Sequence, residues 1–333
     1  MHFEWAPLPG LPWQPTQDFA FGDAVTAQQF AAKLAEKYAH ISRALANRFA
    51  LQFIDVTCER PMQCVRRDTK CGDIRQQLSS MNSDAYPGTW QLRLRMVVRP
   101  EDLGALREST PYCYLYLFVQ TANDFLHHPW VSLSDDVTVS LGALLVRTGF
   151  LLGSESGNLT EDYLLNLETE LGGYANFLPP AYIGKQAAGE EGLDEIRAKL
   201  MDAMQNIDLD TAEKCEQKFI ELLRGVDPLF GLHAFPCQHG LKSASKEGRA
   251  RLNPREGVMF ETLEGKATKV CTFVNVSSAT VSAPDEGPKV VINYLSGKGK
   301  GTASVEFRFH STADAANFTI IVDHHIQVLT APP

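Results

Sequence analysis

Three groups of residues carry side chains whose types and spacing could do chemistry. The first is His233, Cys237 and His239. A thiol flanked by imidazoles suits a hydrolase in which Cys237 attacks and His239 or His233 takes its proton. With Cys215 upstream, the same residues offer soft and borderline metal ligands. Catalytic Cys/His partners are usually distant in sequence, however. The spacing therefore predicts a loop with a buried cysteine, and a thiol- or metal-dependent hydrolase using Cys237, His239 and His233 is the alternative.

The second group is Cys58, Cys64 and Cys71, with Arg66, Arg67 and Lys70 beside them. Neighbouring cations lower thiol pKa, and thiolates bind zinc. Structural zinc loops pair cysteines two to four residues apart, and no such pair occurs. Reduced thiols without metal are expected, with zinc at Cys58, Cys64 and Cys71 as the alternative. The third group is Asp323-His324-His325. If Phe318–Leu329 is a strand, alternation places His324 with Phe318, Ile320, Val322, Ile326 and Val328, and His325 on the opposite face with Asp323. His324 is then a core imidazole, and the two histidines share no metal. His127-His128 has the character of a loop pair.

Other signatures are missing. Gly297-Lys298-Gly299-Lys300-Gly301-Thr302 lacks the GxxxxGK[ST] spacing of a phosphate loop and suits a hairpin tip. No GxSxG, HExxH, kinase, dinucleotide or EF-hand pattern occurs. No cofactor is expected.

The elements that position these residues follow from periodicity. Thr26 and Gln29 have capping-box spacing, and Phe30, Leu34, Tyr38, Ile41, Leu45 and Phe49 make one apolar stripe, so Thr26–Phe49 is predicted as a helix. Leu51–Val56 suits a strand. Trp90–Met96 alternates, with Trp90, Leu92, Leu94 and Met96 inward and Gln91, Arg93 and Arg95 outward. A short helix is expected from Pro100 to Arg107 and a central strand over Tyr112–Val119. Val137–Leu152 is assigned as a buried helix, too short for a bilayer and interrupted by Arg147. Asn158 and Glu161 cap a helix ended by Gly172-Gly173. A helical hairpin follows, its first helix lined by Leu193, Ile196, Leu200, Met204 and Ile207. The second is capped by Asp210 and Glu213 and buries Ala212, Cys215, Phe219 and Leu222.

Gly240–Gly257 has no hydrophobic period and is rich in Lys and Arg, the pattern of a linker. It lacks interleaved aromatics, so base stacking is not indicated. Beyond it, strands are predicted over Lys269–Val276, Lys289–Leu295, Thr302–His310 and Phe318–Leu329. The domain map is a proline-rich arm over 1–22, an α+β domain over 23–239, a basic linker over 240–256 and an all-β domain over 257–333. The fold class is α+β: an N-terminal mixed domain with a helical hairpin, then a C-terminal antiparallel β-sandwich or small barrel.

Composition bounds the function. The 333 residues are 44% hydrophobic and 21% charged, as in a globular chain. A net charge of −9 repels nucleic acid and anionic membranes. Seven cysteines, an odd number, do not form a disulfide scaffold. Met1–Trp5 carries neither the basic nor the apolar region of a secretory signal, so a cytoplasmic location is expected. Trp5 and Trp13, in the proline-rich arm, pack as a strap or enter an aromatic-lined groove. Taken together, these features predict a non-enzymatic protein that binds another protein, with Trp5, Trp13, Lys298 and Lys300 as contact residues.

Overall fold

A computed structural model describes residues 22–39, 43–55, 62–82, 89–100, 102–127, 133–153, 164–165, 173–186, 192–226, 233–239, 246–282, 287–296 and 301–330. Trp5, Trp13, Cys58, Lys298 and Lys300 lie outside these residues, as does most of the helix expected after Asn158. The chain divides inside one helix: residues 22–114 and 233–330 form one compact unit, and residues 115–226 form a second.

The first unit begins with α1 (Ala27–Ala39), α2 (Arg43–Ala46), β1 (Phe49–Asp55), β2 (Gln63–Cys64), α3 (Cys71–Met81) and β3 (Trp90–Met96). The strands form an antiparallel sheet in the order β2-β1-β3. Its centre, β1, is buried along its whole length, because Phe49, Leu51, Phe53 and Ile54 are apolar and Gln52 and Asp55 are also enclosed. The predicted capping box is present: the Gln29 N–H donates to Thr26 Oγ1 at 3.3 Å, and the Thr26 N–H donates to Gln29 Oε1 at 3.1 Å. Replacing Thr26 by Ala is expected to cost about 1 kcal/mol in urea unfolding. An unchanged midpoint would show that the cap adds nothing. Alternation in β3 is as predicted except that Arg95 is buried.

The rest of this unit consists of α4 (Leu103–Ser109), the start of α5 (Pro111–His127), strands β4 (His233–His239), β5 (Lys246–Asn253), β6 (Gly257–Thr262), β7 (Ala267–Cys271), β8 (Val276–Ser282), β9 (Lys289–Leu295) and β10 (Thr302–Phe309), and the helix Thr312–Thr330. The seven strands form one antiparallel sheet in the order β7-β6-β5-β4-β10-β9-β8. Phe235, Val290, Ile292, Phe307 and Phe309 of the sheet share a core with Phe318, Ile321 and Val322 of the helix.

Four expectations are corrected here. Residues 246–253 are a strand inside the sheet and not a linker: Gly248, Ala250 and Leu252 are buried between the outward Glu247, Arg249 and Arg251. Gly248 is required there, because a Cβ would come within 2.1 Å of the Glu261 carbonyl oxygen. The strand predicted over Phe318–Leu329 is a helix, and so is the one over Tyr112–Val119. The all-β domain is not clearly a sandwich. It is a single seven-stranded sheet backed by a helix, in the same compact unit as the N-terminal sheet.

The second unit contains the rest of α5, then α6 (Asp135–Gly153), α7 (Pro180–Gln186), α8 (Gly192–Gln205) and α9 (Ala212–Val226); the helix Thr312–Thr330 is α10. Phe219 of α9 meets Phe118 and Phe125 of α5 edge-on, each at 5.7 Å between ring centres. This is the apolar face predicted for the second hairpin helix. Its cap lies one residue beyond the predicted Asp210: the Lys214 N–H donates to Thr211 Oγ1 at 3.3 Å. Helix α6 is long and apolar enough to cross a membrane, but most of its apolar window is buried within the protein. Arg147 donates from Nε and Nη2 to the Leu209 carbonyl, both at 3.3 Å.

Candidate functional site

Strand β4 carries His233, Cys237 and His239, so these residues are not on a loop. Alternation along the strand points all three to one face. Cys237 is fully buried, and burial pushes its thiol up to about 12. A thiol held that high is almost entirely protonated at neutral pH and is a poor nucleophile. The imidazoles are engaged elsewhere. His233 Nε2–H donates to the Val97 carbonyl at 3.1 Å, and His239 Nδ1–H donates to the Glu306 carbonyl at 3.2 Å. The ring of His239 packs against Phe260 and Phe307, with centroids 4.9 and 5.1 Å away. This arrangement leaves the hydrolase alternative without an activated thiol.

Cys64 and Cys71 lie in different elements, β2 and α3. Gln52 Nε2–H donates to Cys64 Sγ at 3.2 Å, and burial raises that thiol to about 12. Cys71 is buried at the start of α3, and desolvation raises it too. Among the described residues, no group of three or more His, Cys, Asp or Glu side chains is placed to hold a metal ion.

His324 and His325 lie on α10, and both are buried. The strand reading had put them on opposite faces. His325 Nδ1–H donates to the Ile321 carbonyl at 2.9 Å, and its ring stacks on Phe273 at 4.5 Å. Among the described residues, neither nitrogen of His324 has a hydrogen-bond partner. Asn317, one turn before Ile321, ties this helix to the small sheet. Its Oδ1 accepts from the Cys64 N–H and its Nδ2 donates to the Met62 carbonyl, both at 2.7 Å. The amide thus pairs with a main chain as a neighbouring strand would. Sequence reasoning missed Asn317, since an asparagine within an apolar run gives no signal of its distant partner.

Described residues line at least two cavities. In the first unit, about 360 Å³ is lined by Arg66, Arg67, Asp68 and Asp323 among others. Its charges largely cancel, as Arg66 Nε pairs with Asp68 at 3.2 Å. In the second unit, a groove of about 700 Å³ runs between α6, α7, α8 and α9. Val139, Leu144, Leu209 and Leu222 supply apolar lining, and Asp136, Asp202 and Asp208 supply carboxylates. Tyr182 also lines it, 6% exposed, with its hydroxyl buried and without a hydrogen-bond partner among the described residues. The sequence signal for this site was the acidic excess between Glu190 and Arg224, where ten acidic residues face five basic ones; it had the form of an ordinary solvated helix face.

No protein-family model and no curated protein matches the sequence. Solved structures match in shape. The FERM and C-terminal domain complex of Drosophila Merlin aligns with a TM-score of 0.61 at 12% identity, over 94% of this chain and 93% of that one. The Dictyostelium discoideum myosin VII MyTH4-FERM MF2 domain, mutant 1, aligns with a TM-score of 0.60 at 14% identity, over 93% of this chain. Human myosin 7b, as its C-terminal MyTH4-FERM domain in complex with the harmonin-a PDZ3 domain, gives 0.54 at 11% identity, over 99% of this chain. The chain spans 58% and 60% of those two myosin chains. At such identities the likeness concerns the fold alone, and the fold is α+β with FERM domains among its structural neighbours.

Proposed function

We propose that this chain is a protein-binding module that acts through its surface rather than through catalysis. The observation that carries the proposal is the near end-to-end likeness to the Merlin FERM structure, a complex of two protein domains. The myosin 7b structure likewise holds a protein, a PDZ domain. Burial of Cys237, His324 and His325 agrees with this reading, because these side chains are committed to the core. In the same reading the module works in the cytoplasm, needs no cofactor and binds neither nucleic acid nor membrane, as its net charge of −9 favours. Trp5, Trp13, Lys298 and Lys300 are proposed contact residues.

The test is reconstitution. Proteins crosslinked to the full chain in cells are identified, purified and mixed with it. A complex of fixed stoichiometry that persists through gel filtration is the expected result. Failure of every purified candidate to form one would overturn the reading, as would turnover of a substrate lost on Cys237→Ser with the fold intact.

A further inference from the structure

We propose that the groove between α6, α7, α8 and α9 is a docking site for a short basic segment of a partner protein, in which an apolar side chain enters the groove and a neighbouring Lys or Arg meets its carboxylates. This inference rests on the protein-binding reading and names the site and the chemistry of its occupant. Three independent features of the groove point the same way.

The first is shape and lining. At about 700 Å³, the groove has room for more than one side chain. Val139 and Leu144 on α6 and Leu222 on α9 give it an apolar interior. Apolar surface in an open groove gains free energy when a partner covers it.

The second is charge. Asp136, Asp202 and Asp208 are exposed at the rim. The other lining carboxylate, Asp135, is already met by Lys185 Nζ at 3.0 Å and by Gln186 Nε2 at 3.0 Å. Of the two lining ammonium groups, Lys199 is tied to Glu195 at 2.7 Å, which leaves Lys218 as the remaining lining cation among the described residues. Three exposed carboxylates facing one uncommitted ammonium favour a cationic occupant and repel an acidic one. Such complementarity sets partner choice and encounter rate and weakens with added salt.

The third is the phenol of Tyr182. Its ring is buried in the groove wall, yet its hydroxyl makes no hydrogen bond among the described residues. A buried hydroxyl without a partner is costly, and an occupant that supplies an acceptor or donor removes the cost. A peptide carbonyl can accept the phenol O–H, the donor left unpaired, whereas a protonated aliphatic amine can only donate to the phenol oxygen. This favours a peptide over a small organic cation.

The experiment is selection of displayed random peptides on the intact chain, followed by titration of the most enriched one as a fluorescein-labelled synthetic peptide. Enriched sequences are expected to place Lys or Arg next to Leu, Ile, Met or Phe. The double variant Asp202→Lys, Asp208→Lys, at exposed positions, should weaken binding of that peptide about tenfold or more. Tyr182→Phe should weaken it severalfold while leaving the melting temperature unchanged or higher, an outcome that a purely structural tyrosine would not give. Enriched peptides that bind wild type and these variants alike would overturn the groove and leave the protein-binding reading standing. Peptides whose binding survives loss of their apolar residue would reduce the site to charge alone and overturn it as well. Absence of any enriched peptide, together with no reconstituted complex, would overturn both. Saturation of the groove by a protonated alkylamine at the affinity of the selected peptide would assign it to a small cation instead.

Discussion

Replacing Val322 by aspartate is expected to unfold the unit that contains it, while replacing His324 by leucine is expected to be tolerated or stabilising. Val322 is fully buried on α10, in one core with Phe318, Ile321 and the sheet residues Phe307 and Phe309. A carboxylate there has no cation within that apolar cluster. Its burial unpaired costs about 3–5 kcal/mol, a large part of the roughly 5–15 kcal/mol that holds a domain together. His324 is the opposite case. It is 2% exposed, and among the described residues neither ring nitrogen has a hydrogen-bond partner. Leucine removes two unsatisfied polar atoms and keeps most of the packing volume. Urea melts of both variants check this. A Val322→Asp protein that melts like wild type would mean that this face of α10 is solvated, and a strongly destabilised His324→Leu would mean that the imidazole has a partner that matters.

The contrast between those two residues also shows what could be read from the sequence. The burial of Val322 and His324 follows from either periodicity, because both a strand and a helix would enclose an apolar run of this kind. The element type did not follow. Thr319-Ile320-Ile321-Val322 is a run of β-branched residues with strand propensity, and tertiary packing outweighed it. The overlooked signal lies just upstream: the Asp314 N–H donates to Ser311 Oγ at 3.0 Å, a helix start written as Ser-x-x-Asp. Thr110-Pro111 before α5 is a similar start, with proline in the first turn. There the aromatic run Tyr112–Val119 is apolar on all sides because most of the helix is enclosed, not because it is a central strand. In β5 the alternation was present but carried by Gly248 and Ala250, whose small side chains register weakly as apolar. The amphipathic face of α9 and the capped start of α1 were legible, but the helix predicted to run on to Phe49 did not hold to its end, because Phe49 opens β1. The candidate groove was not legible, because its lining converges from four helices and no spacing along the chain records that convergence.

Acid is expected to destabilise the first unit well before its carboxylates are neutralised. Burial lowers His324 to about 3 and His325 to about 4, and lowers His233 to about 3. The nearby positive charges are Arg67 at His324, Arg48 at His325, and Arg95 and Arg99 at His233, and each disfavours a second cation. In the unfolded chain these imidazoles return to about 6.5. Between the folded and unfolded values the unfolded state binds more protons, so stability is intact above about pH 6.5 and falls as the pH drops towards 4. Each such histidine adds about 1.4 kcal/mol per pH unit to the slope in that window. His233 keeps some exposed surface, so its share is smaller than that of the two on α10. The carboxylates held low, such as Glu306 beside Lys289 and Arg308, act only at still lower pH. Asp323, which burial raises, works in the opposite direction. Urea midpoints measured from pH 7.5 to 4 in wild type and in His324→Leu separate the contributions. The wild-type curve should fall more steeply, and the two should diverge as the pH decreases from 6.5. Parallel curves would show that His324 does not titrate on unfolding, and with it the solvent-free environment assigned to that ring would fail.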